Sequence, residues 1–180
     1  LKISVLYYAA TQFYADASAA CREWLGGYAR GSTASDLEPN TSLVVAIDLG
    51  EWNDIHPLNK KELARRVVLQ VKKKVYGHKD IVHSGPLCTS VSVEGGKIIL
   101  SFEEGTNDLM PVTQLKGFAL AGADGRFKWA KVAIEGNKVR FEGITQPIKV
   151  RYAWDDNPQE ANLKNKAGLP ASPFQMNIVK

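Results

Sequence analysis

A short loop near residue 50 carries the side chains with the clearest chemical potential in this sequence. Asp54 and His56 stand two residues apart in it, alongside further polar residues and a tryptophan: Asp48, Glu51, Trp52 and Asn53. A neutral imidazole can take a proton from a hydroxyl group, and a neighbouring carboxylate can hold its tautomer and stabilise the imidazolium. Because residues i and i+2 of an extended segment point to the same side, Asp54 can reach the ring of His56. The loop is a candidate for acid–base catalysis, but the pattern alone favours the simpler interpretation that both residues shape the turn into the next helix.

The segments around this loop follow the pattern of an α/β unit. Leu1–Tyr8 and Leu43–Ile47 are apolar runs typical of buried strands, and Ala15–Tyr28 is compatible with a helix. Asn59 and Glu62 form a capping box before a second helix, whose apolar stripe comprises Leu63, Val67, Val71 and Val75 with Ala64 and Val68. Strand, helix, strand and helix predict a parallel sheet covered by helices. Sites in such sheets lie in loops after the carboxyl ends of strands, which is where His56 stands.

Helical periodicity disappears after residue 80. Short strand-like runs follow, separated by turn-forming clusters such as Glu94-Gly95-Gly96 and Glu135-Gly136-Asn137. The runs are Thr89–Val93, Lys97–Phe102, Leu115–Ala121, Phe127–Ile134, Lys138–Phe141 and Ile148–Trp154. We therefore predict an α/β part over residues 1–80 and an antiparallel β-sandwich over residues 81–180. Within the second part, Asp155–Lys180 is expected to be irregular chain.

Composition and charge narrow the classes of function. The net charge is +4, and the densest basic run, Lys72–Lys74, lies on the predicted second helix without interleaved aromatics, so no nucleic-acid partner is expected. No apolar run approaches the roughly 20 residues of a membrane helix. His78 and His83 lack further ligands nearby, and Asp155-Asp156-Asn157 favours a surface turn over a calcium site. We expect neither a metal nor a cofactor.

Two smaller groups of residues leave alternatives open. Cys21 and Cys88 are far apart, and they either form a disulfide or remain as buried free thiols. Trp129, Tyr152 and Trp154 lie on predicted strands, where they either belong to the core or form a platform on which a sugar can stack. The core is the favoured interpretation for these aromatics.

Several stretches resemble one enzyme family. Val44–Lys60, with the sequence VVAIDLGEWNDIHPLNK, resembles the histidine block of the sialate O-acetylesterase family, which belongs to the SGNH hydrolases. The similarity runs from about Pro39 to Phe174, and further stretches fit it: Ser84-Gly85-Pro86, Phe118–Gly125, Arg151–Pro158 and Gly168–Phe174. The resemblance implies a fold in which the C-terminal part of an SGNH-type three-layer α/β/α domain precedes the β-sandwich.

The resemblance also implies an activity. Members hydrolyse O-acetyl esters on sugars through an acyl-enzyme on serine, and His56 carries over as the general base. Many SGNH hydrolases have an aspartate three residues before this histidine, but here that position is Asn53. Either Asp54 orients the imidazole, or the enzyme works as a serine–histidine pair with a backbone or amide acceptor.

The serine block of the family is missing from this sequence. Gly31-Ser32-Thr33 is not preceded by a convincing strand, and Ser84-Gly85 lies beyond the predicted second helix, so neither serine is assigned as the nucleophile. We therefore expect one piece of a larger enzyme, inactive alone, that acts on O-acetylated carbohydrate and associates with the upstream part or with copies of itself. The family resemblance favours an extracytoplasmic location. The alternative is a non-catalytic carbohydrate-binding β-sandwich module.

Overall fold

The computed structural model of the chain describes residues 2–6, 41–51, 54, 56–95, 97–142, 146–155 and 157–178. The described elements comprise a helix, α1 (Lys60–Lys74), and strands that form three sheets. The strands are β1 (Lys2–Leu6), β2 (Thr41–Val45), β3 (Cys88–Glu94), β4 (Lys97–Phe102), β5 (Phe118–Ala121), β6 (Phe127–Trp129), β7 (Lys131–Glu135), β8 (Lys138–Glu142), β9 (Lys149–Tyr152) and β10 (Phe174–Asn177). Within these ranges, no helix is long and apolar enough to cross a membrane.

Strands β1 and β2 pair in parallel, with Lys2 opposite Thr41 and Leu6 opposite Val45. The apolar run that starts at Leu43 is buried as far as Ile47, in keeping with its composition. The predicted parallel pairing is thereby confirmed. The helix predicted for Ala15–Tyr28 lies outside the described residues.

The face of α1 that packs against β2 is not the predicted one. Arg66 and Gln70 are its buried residues, each 4% exposed. The residues of the predicted stripe are half-buried or exposed: Leu63, Ala64, Val67, Val68, Val71 and Val75. Among the described strands β2 pairs only with β1, so buried carbonyl groups of β2 need other donors. Arg66 Nη1 donates to the carbonyl of Val45 at 2.8 Å and Gln70 Nε2 to that of Leu43 at 3.2 Å, which explains why polar side chains face inward.

The second half of the chain forms two four-stranded sheets, ordered β10-β9-β5-β6 and β3-β4-β8-β7. All of their strand pairs are antiparallel. Phe118 in the first sheet meets Phe141 of the second edge to face, with ring centroids 5.5 Å apart, and packs against Tyr152 at 4.7 Å. Apolar side chains of both sheets share this core. The structure is therefore mostly antiparallel β-sheet, and the predicted β-sandwich is confirmed.

Two strand predictions were wrong in detail. The run Phe127–Ile134 divides at Ala130 into β6 and β7, which belong to different sheets. A chain that crosses between sheets can keep strand-like composition throughout, so the sequence does not reveal the break. The C-terminal segment contains β10 instead of irregular chain alone. Phe174 begins this strand opposite Tyr152, and its ring stacks on that residue at 5.7 Å.

Candidate active site on the loop between β2 and α1

The loop that carries His56 ends at a well-formed helix cap. Asn59 Oδ1 accepts a hydrogen bond from the backbone N–H of Glu62 at 3.1 Å, so one of the first unpaired donors of α1 is satisfied. The predicted Asn59 cap is confirmed. The Glu62 carboxylate does not complete the box, because it binds Arg65 at 2.7 and 2.8 Å and Arg66 at 3.0 Å.

Asp54 and His56 make the contact that their spacing predicts. Oδ1 of Asp54 lies 3.1 Å from Nδ1 of the imidazole and also accepts the backbone N–H of His56 at 2.7 Å. Because a carboxylate can only accept, Nδ1 carries the proton and Nε2 presents its lone pair. The side chains of His56 and Asp54 are 71% and 41% exposed. The ring therefore faces outward, with its basic nitrogen directed away from the aspartate.

The environment of Asp54 favours its ionised form. The backbone hydrogen bond from His56 is the main cause that lowers the pKa of this carboxyl, and the side-chain contact adds to it. Lys60 contributes a favourable charge from the first turn of α1. Asp54 is thus an anion at neutral pH, as an orienting partner of an imidazole requires.

Asp48 ties the start of the loop to α1 and to the C-terminal segment. Its carboxylate accepts hydrogen bonds from Arg66 at 2.7 and 3.0 Å and from Lys164 at 2.8 Å. Burial opposes its ionisation, but the hydrogen bonds and charges of Arg66 and Lys164 outweigh burial and keep its pKa below the ordinary value. Asp48 thus anchors the loop that carries His56.

The sequence did not point to Lys164, which pairs with Asp48 at the start of the loop, or to Asn165, which ties the C-terminal segment to the chain that follows α1. Asn165 is 1% exposed; its Nδ2 donates to the carbonyl of Ser84 at 2.9 Å, and its Oδ1 accepts from the N–H of Leu169 at 3.1 Å. The contact of Asn165 with Ser84 spans 81 positions of the sequence, so no local spacing predicts it. Ser84 takes part through its backbone carbonyl group.

Glu51, Cys88 and His83 make no contact with His56 among the contacts described above. Glu51 is exposed and pairs with Asp54 in an isolated β-bridge. Cys88 is a buried free thiol whose pKa is raised by burial to about 12. Burial, and then Lys73 and Lys74, lower the pKa of His83. Within the described residues no group of three metal-ligating side chains occurs. Several predicted candidates lie outside the described residues: Cys21, Gly31-Ser32-Thr33, Trp52, Asn53 and Asp156.

The aromatic residues divide into two groups. Tyr152 is fully buried, and its hydroxyl oxygen accepts the N–H of Leu163 at 2.9 Å. Trp154 packs against the core, whereas Trp129 is 76% exposed. The core prediction is therefore wrong for Trp129. A cleft of about 790 Å³ adjoins Trp129, and neither His56 nor Asp54 lines it.

The proteins to which this chain is similar are esterases that act on carbohydrates. The structure is similar to a carbohydrate acetylesterase from Xanthomonas citri, with a TM-score of 0.80 and 32% identity over 96% of this chain and 40% of that one. The sequence is 28% identical to the sialate O-acetylesterase of Homo sapiens over 153 residues, which are 76% of this chain and 29% of the relative. The enzyme of Mus musculus is 26% identical over 163 residues, or 82% of this chain and 30% of the relative. No family model matches the sequence.

These similarities confirm the resemblance at the level of the family: the chain is related to the sialate O-acetylesterases. The chain spans about 30% of the length of these curated relatives.

Proposed function

We propose that this chain is the histidine-bearing part of a serine esterase that removes O-acetyl groups from carbohydrates. The contact between Asp54 Oδ1 and His56 Nδ1, 3.1 Å long and exposed on the loop after β2, carries this proposal. In this proposal Asp54 and His56 are the acid and the base of a serine–histidine–aspartate triad, with the acid in contact with Nδ1 of the base. The names of the relatives supply the substrate class, an acetylated sugar.

The proposed mechanism gives each side chain one task. His56 Nε2 takes the proton of a serine hydroxyl as the serine oxygen attacks the acetyl carbonyl carbon. The imidazolium then protonates the departing sugar oxygen, which leaves an acetyl-serine ester. Water attacks that ester with His56 again as the base, and acetate leaves as the serine regains its proton. Asp54 keeps the proton on Nδ1 and stabilises each imidazolium.

Asp54 is the proposed orienting acid, although many SGNH hydrolases carry an aspartate three residues before the histidine. The position three residues earlier is Asn53 in this chain. Two observations support Asp54: its contact with Nδ1, and a pKa that is lowered by hydrogen bonds from His56. The serine–histidine pair with an amide or backbone acceptor is the alternative, and an Asp54→Ala variant that keeps full activity would favour it.

We further propose that residues 1–80 are the end of an SGNH-type α/β/α domain and that residues 81–180 are the accompanying β-sandwich. Parallel pairing of β1 with β2, and the return of the chain through α1, support the first assignment. In this proposal the nucleophilic serine comes from a further segment of the enzyme. The chain by itself is then inactive.

The test is reconstitution. The chain is incubated with 4-nitrophenyl acetate and with an O-acetylated oligosaccharide, first alone and then with a polypeptide that supplies the serine block of the family. We expect acetate release only in the second mixture. Release by the chain alone would show that it contains its own nucleophile. Absence of release from a stably formed complex would contradict the assignment as part of an esterase.

A further inference from the structure

A cleft of about 790 Å³ opens at one edge of the β-sandwich, within the roughly 300–1,000 Å³ range of small-ligand sites. Three parts of the chain line it: residues 113–118, the crossover from β6 to β7, and residues 153–155 with 157–161. The cleft shares no residue with the loop of His56, so it is separate from the site proposed for acyl transfer.

The walls of this cleft are held together by hydrogen bonds. The side chain of Asn162 accepts the N–H of Lys116 at 2.8 Å and donates to the carbonyl of Gln114 at 2.8 Å. The N–H of Ala153 donates to the carbonyl of Gly117 at 2.9 Å. Gly117 has φ of +93°, and a Cβ atom there would stand 3.0 Å from two atoms of Ala161. These contacts fix the segment around Lys116 against the segment around Asn162, about 45 residues further along the chain. The walls of the cleft are therefore held in place before any ligand binds.

Trp129 provides a flat apolar surface at the mouth of the cleft. It lies on the edge strand β6 directly opposite Ala119 of β5, so its neighbour on that face is small. The indole is 76% exposed although it is large and apolar. Tryptophan combines an apolar face with a hydrogen-bonding edge, a combination suited to ligands that are apolar on one face and polar at the rim. A pyranose ring has this character, with axial C–H groups on its faces and hydroxyl groups around its edge.

The charges around the cleft balance one another. Lys116 pairs with Glu160 at 2.6 Å, and the further lining residues include Lys131 and Asp155. Two positive and two negative side chains give no field that would select a polyanion or a polycation. They offer both donors and acceptors, as a ligand rich in hydroxyl groups requires.

We propose that this cleft binds a neutral β-1,4-linked pyranose chain, with one sugar ring stacked on Trp129 and its hydroxyl groups bonded to the polar rim. Equatorial β-1,4 linkages make an extended ribbon whose ring faces are open to stacking. The site holds a polysaccharide next to the enzyme without taking part in the chemistry at His56. Its ligand class is that of an unmodified backbone and needs no acetyl group.

The test uses the 180-residue chain with xylohexaose, cellohexaose and mannohexaose as probes, measured by isothermal titration calorimetry. We expect binding of at least one probe, and a loss of association constant of about tenfold or more in Trp129→Ala, because a central aromatic anchor carries a large part of the binding free energy. Trp129→Phe should retain an intermediate affinity because it keeps a ring. Tyr76→Ala is the matched control, since Tyr76 is 71% exposed and lies at the end of α1.

Absence of heat with all three probes, or equal affinity in Trp129→Ala, overturns the proposal. A complex that Trp129→Ala dissociates in light scattering, with no binding of sugar, would assign the cleft to association between copies of the chain. Because the cleft lies apart from the loop, the His56→Ala chain should bind the probes normally. This result is independent of whether His56→Ala abolishes the esterase activity of the reconstituted complex, so failure of the proposed function and failure of the cleft proposal can be distinguished.

Discussion

Asp54 contacts His56 twice, through the imidazole at 3.1 Å and through the backbone N–H at 2.7 Å. The spacing of two residues was enough to predict that the side chains can meet. It did not predict the backbone hydrogen bond, which is the shorter contact and the main cause of the lowered pKa of Asp54.

The first prediction concerns the pKa of Asp54. It should lie below the ordinary aspartate value of about 3.9, because the hydrogen bonds favour the ionised form. Replacement of His56 by alanine should raise this pKa only in part, because the backbone N–H at position 56 remains. Carboxyl carbon chemical shifts recorded against pH measure it. A pKa in His56→Ala equal to that of an unstructured aspartate would show that the ring alone makes the contact.

The exposure of single aromatic residues did not follow from the sequence. Tyr152 and Trp129 both lie on strands, yet the first is fully buried and the second is 76% exposed. The difference depends on the position of the strand: β9 is central in its sheet, whereas β6 is at the edge next to the crossover. Strand order is a property of the complete fold, so no local pattern predicts it.

At the scale of the element, α1 shows which features follow from sequence. Its start, its cap at Asn59 and its cationic last turn were predictable because they depend on neighbours along the chain. Its inward face was not. Arg66 and Gln70 face inward because the carbonyl groups of β2 need donors, and that need arises only once strand and helix are packed.

The second prediction compares two adjacent arginines of α1. Arg66→Ala should lower the free energy of unfolding by about 2 kcal/mol or more, because it removes the buried donor to the carbonyl of Val45 and leaves the partly buried Asp48 with Lys164 alone of its two cations. Arg65→Ala is the control: Arg65 also binds Glu62, but it is 44% exposed and its loss should cost less than about 1 kcal/mol. Urea unfolding followed by circular dichroism measures both. Equal effects of the two substitutions would mean that the buried ion pair is not a stabilising element.

The difference in the free energy of unfolding between the native chain and Arg66→Ala should become smaller at acid pH. The pKa of Asp48 in the folded chain is depressed, so its stabilising contribution is complete above the unfolded carboxyl pKa of about 3.9 and is lost as the pH falls through the folded value. The gap in stability between the native chain and Arg66→Ala should therefore narrow below about pH 4. A gap that widens with acid would contradict the sign of this linkage.

The third prediction concerns the segment between α1 and the sandwich. A Cβ atom on Gly85 would stand 1.9 Å from the carbonyl oxygen of Pro170, and the obstacle is backbone that cannot rotate away. Gly85→Ala should therefore lower the free energy of unfolding by more than about 2 kcal/mol. Ser84→Ala should change it by less than about 0.5 kcal/mol, because Ser84 contributes its carbonyl group. Similar stability of the two variants in thermal denaturation would refute the close approach.

For the whole molecule, the broad plan was predictable and the connection between its parts was not. The change from helical to strand periodicity near residue 80 announced an α/β part and a β-sandwich. The contact of Lys164 with Asp48 joins those parts, whereas the contact of Asn165 with Ser84 ties the start of the second part to its C-terminal segment. Both contacts span long sequence separations. Such contacts depend on the completed fold, so their residues look like ordinary surface positions in the sequence.

The fourth prediction is association. Within the described residues the parallel sheet has two strands, and a sheet of this size is marginal unless other elements extend or cover it. We expect the chain to bind a polypeptide carrying the serine block and to elute with it as one complex in size-exclusion chromatography with light scattering. Two separate peaks at micromolar concentration, with both chains folded, would argue against a shared domain.

The role of His56 is tested most directly by the kcat of the reconstituted enzyme on an O-acetylated oligosaccharide. His56→Ala should lower kcat by about 100-fold to 10,000-fold, the range typical for loss of a general base. His78→Ala is the matched control, because His78 is exposed beyond the end of α1 and should leave kcat unchanged. A correctly folded His56→Ala complex that retains the native kcat would contradict the account.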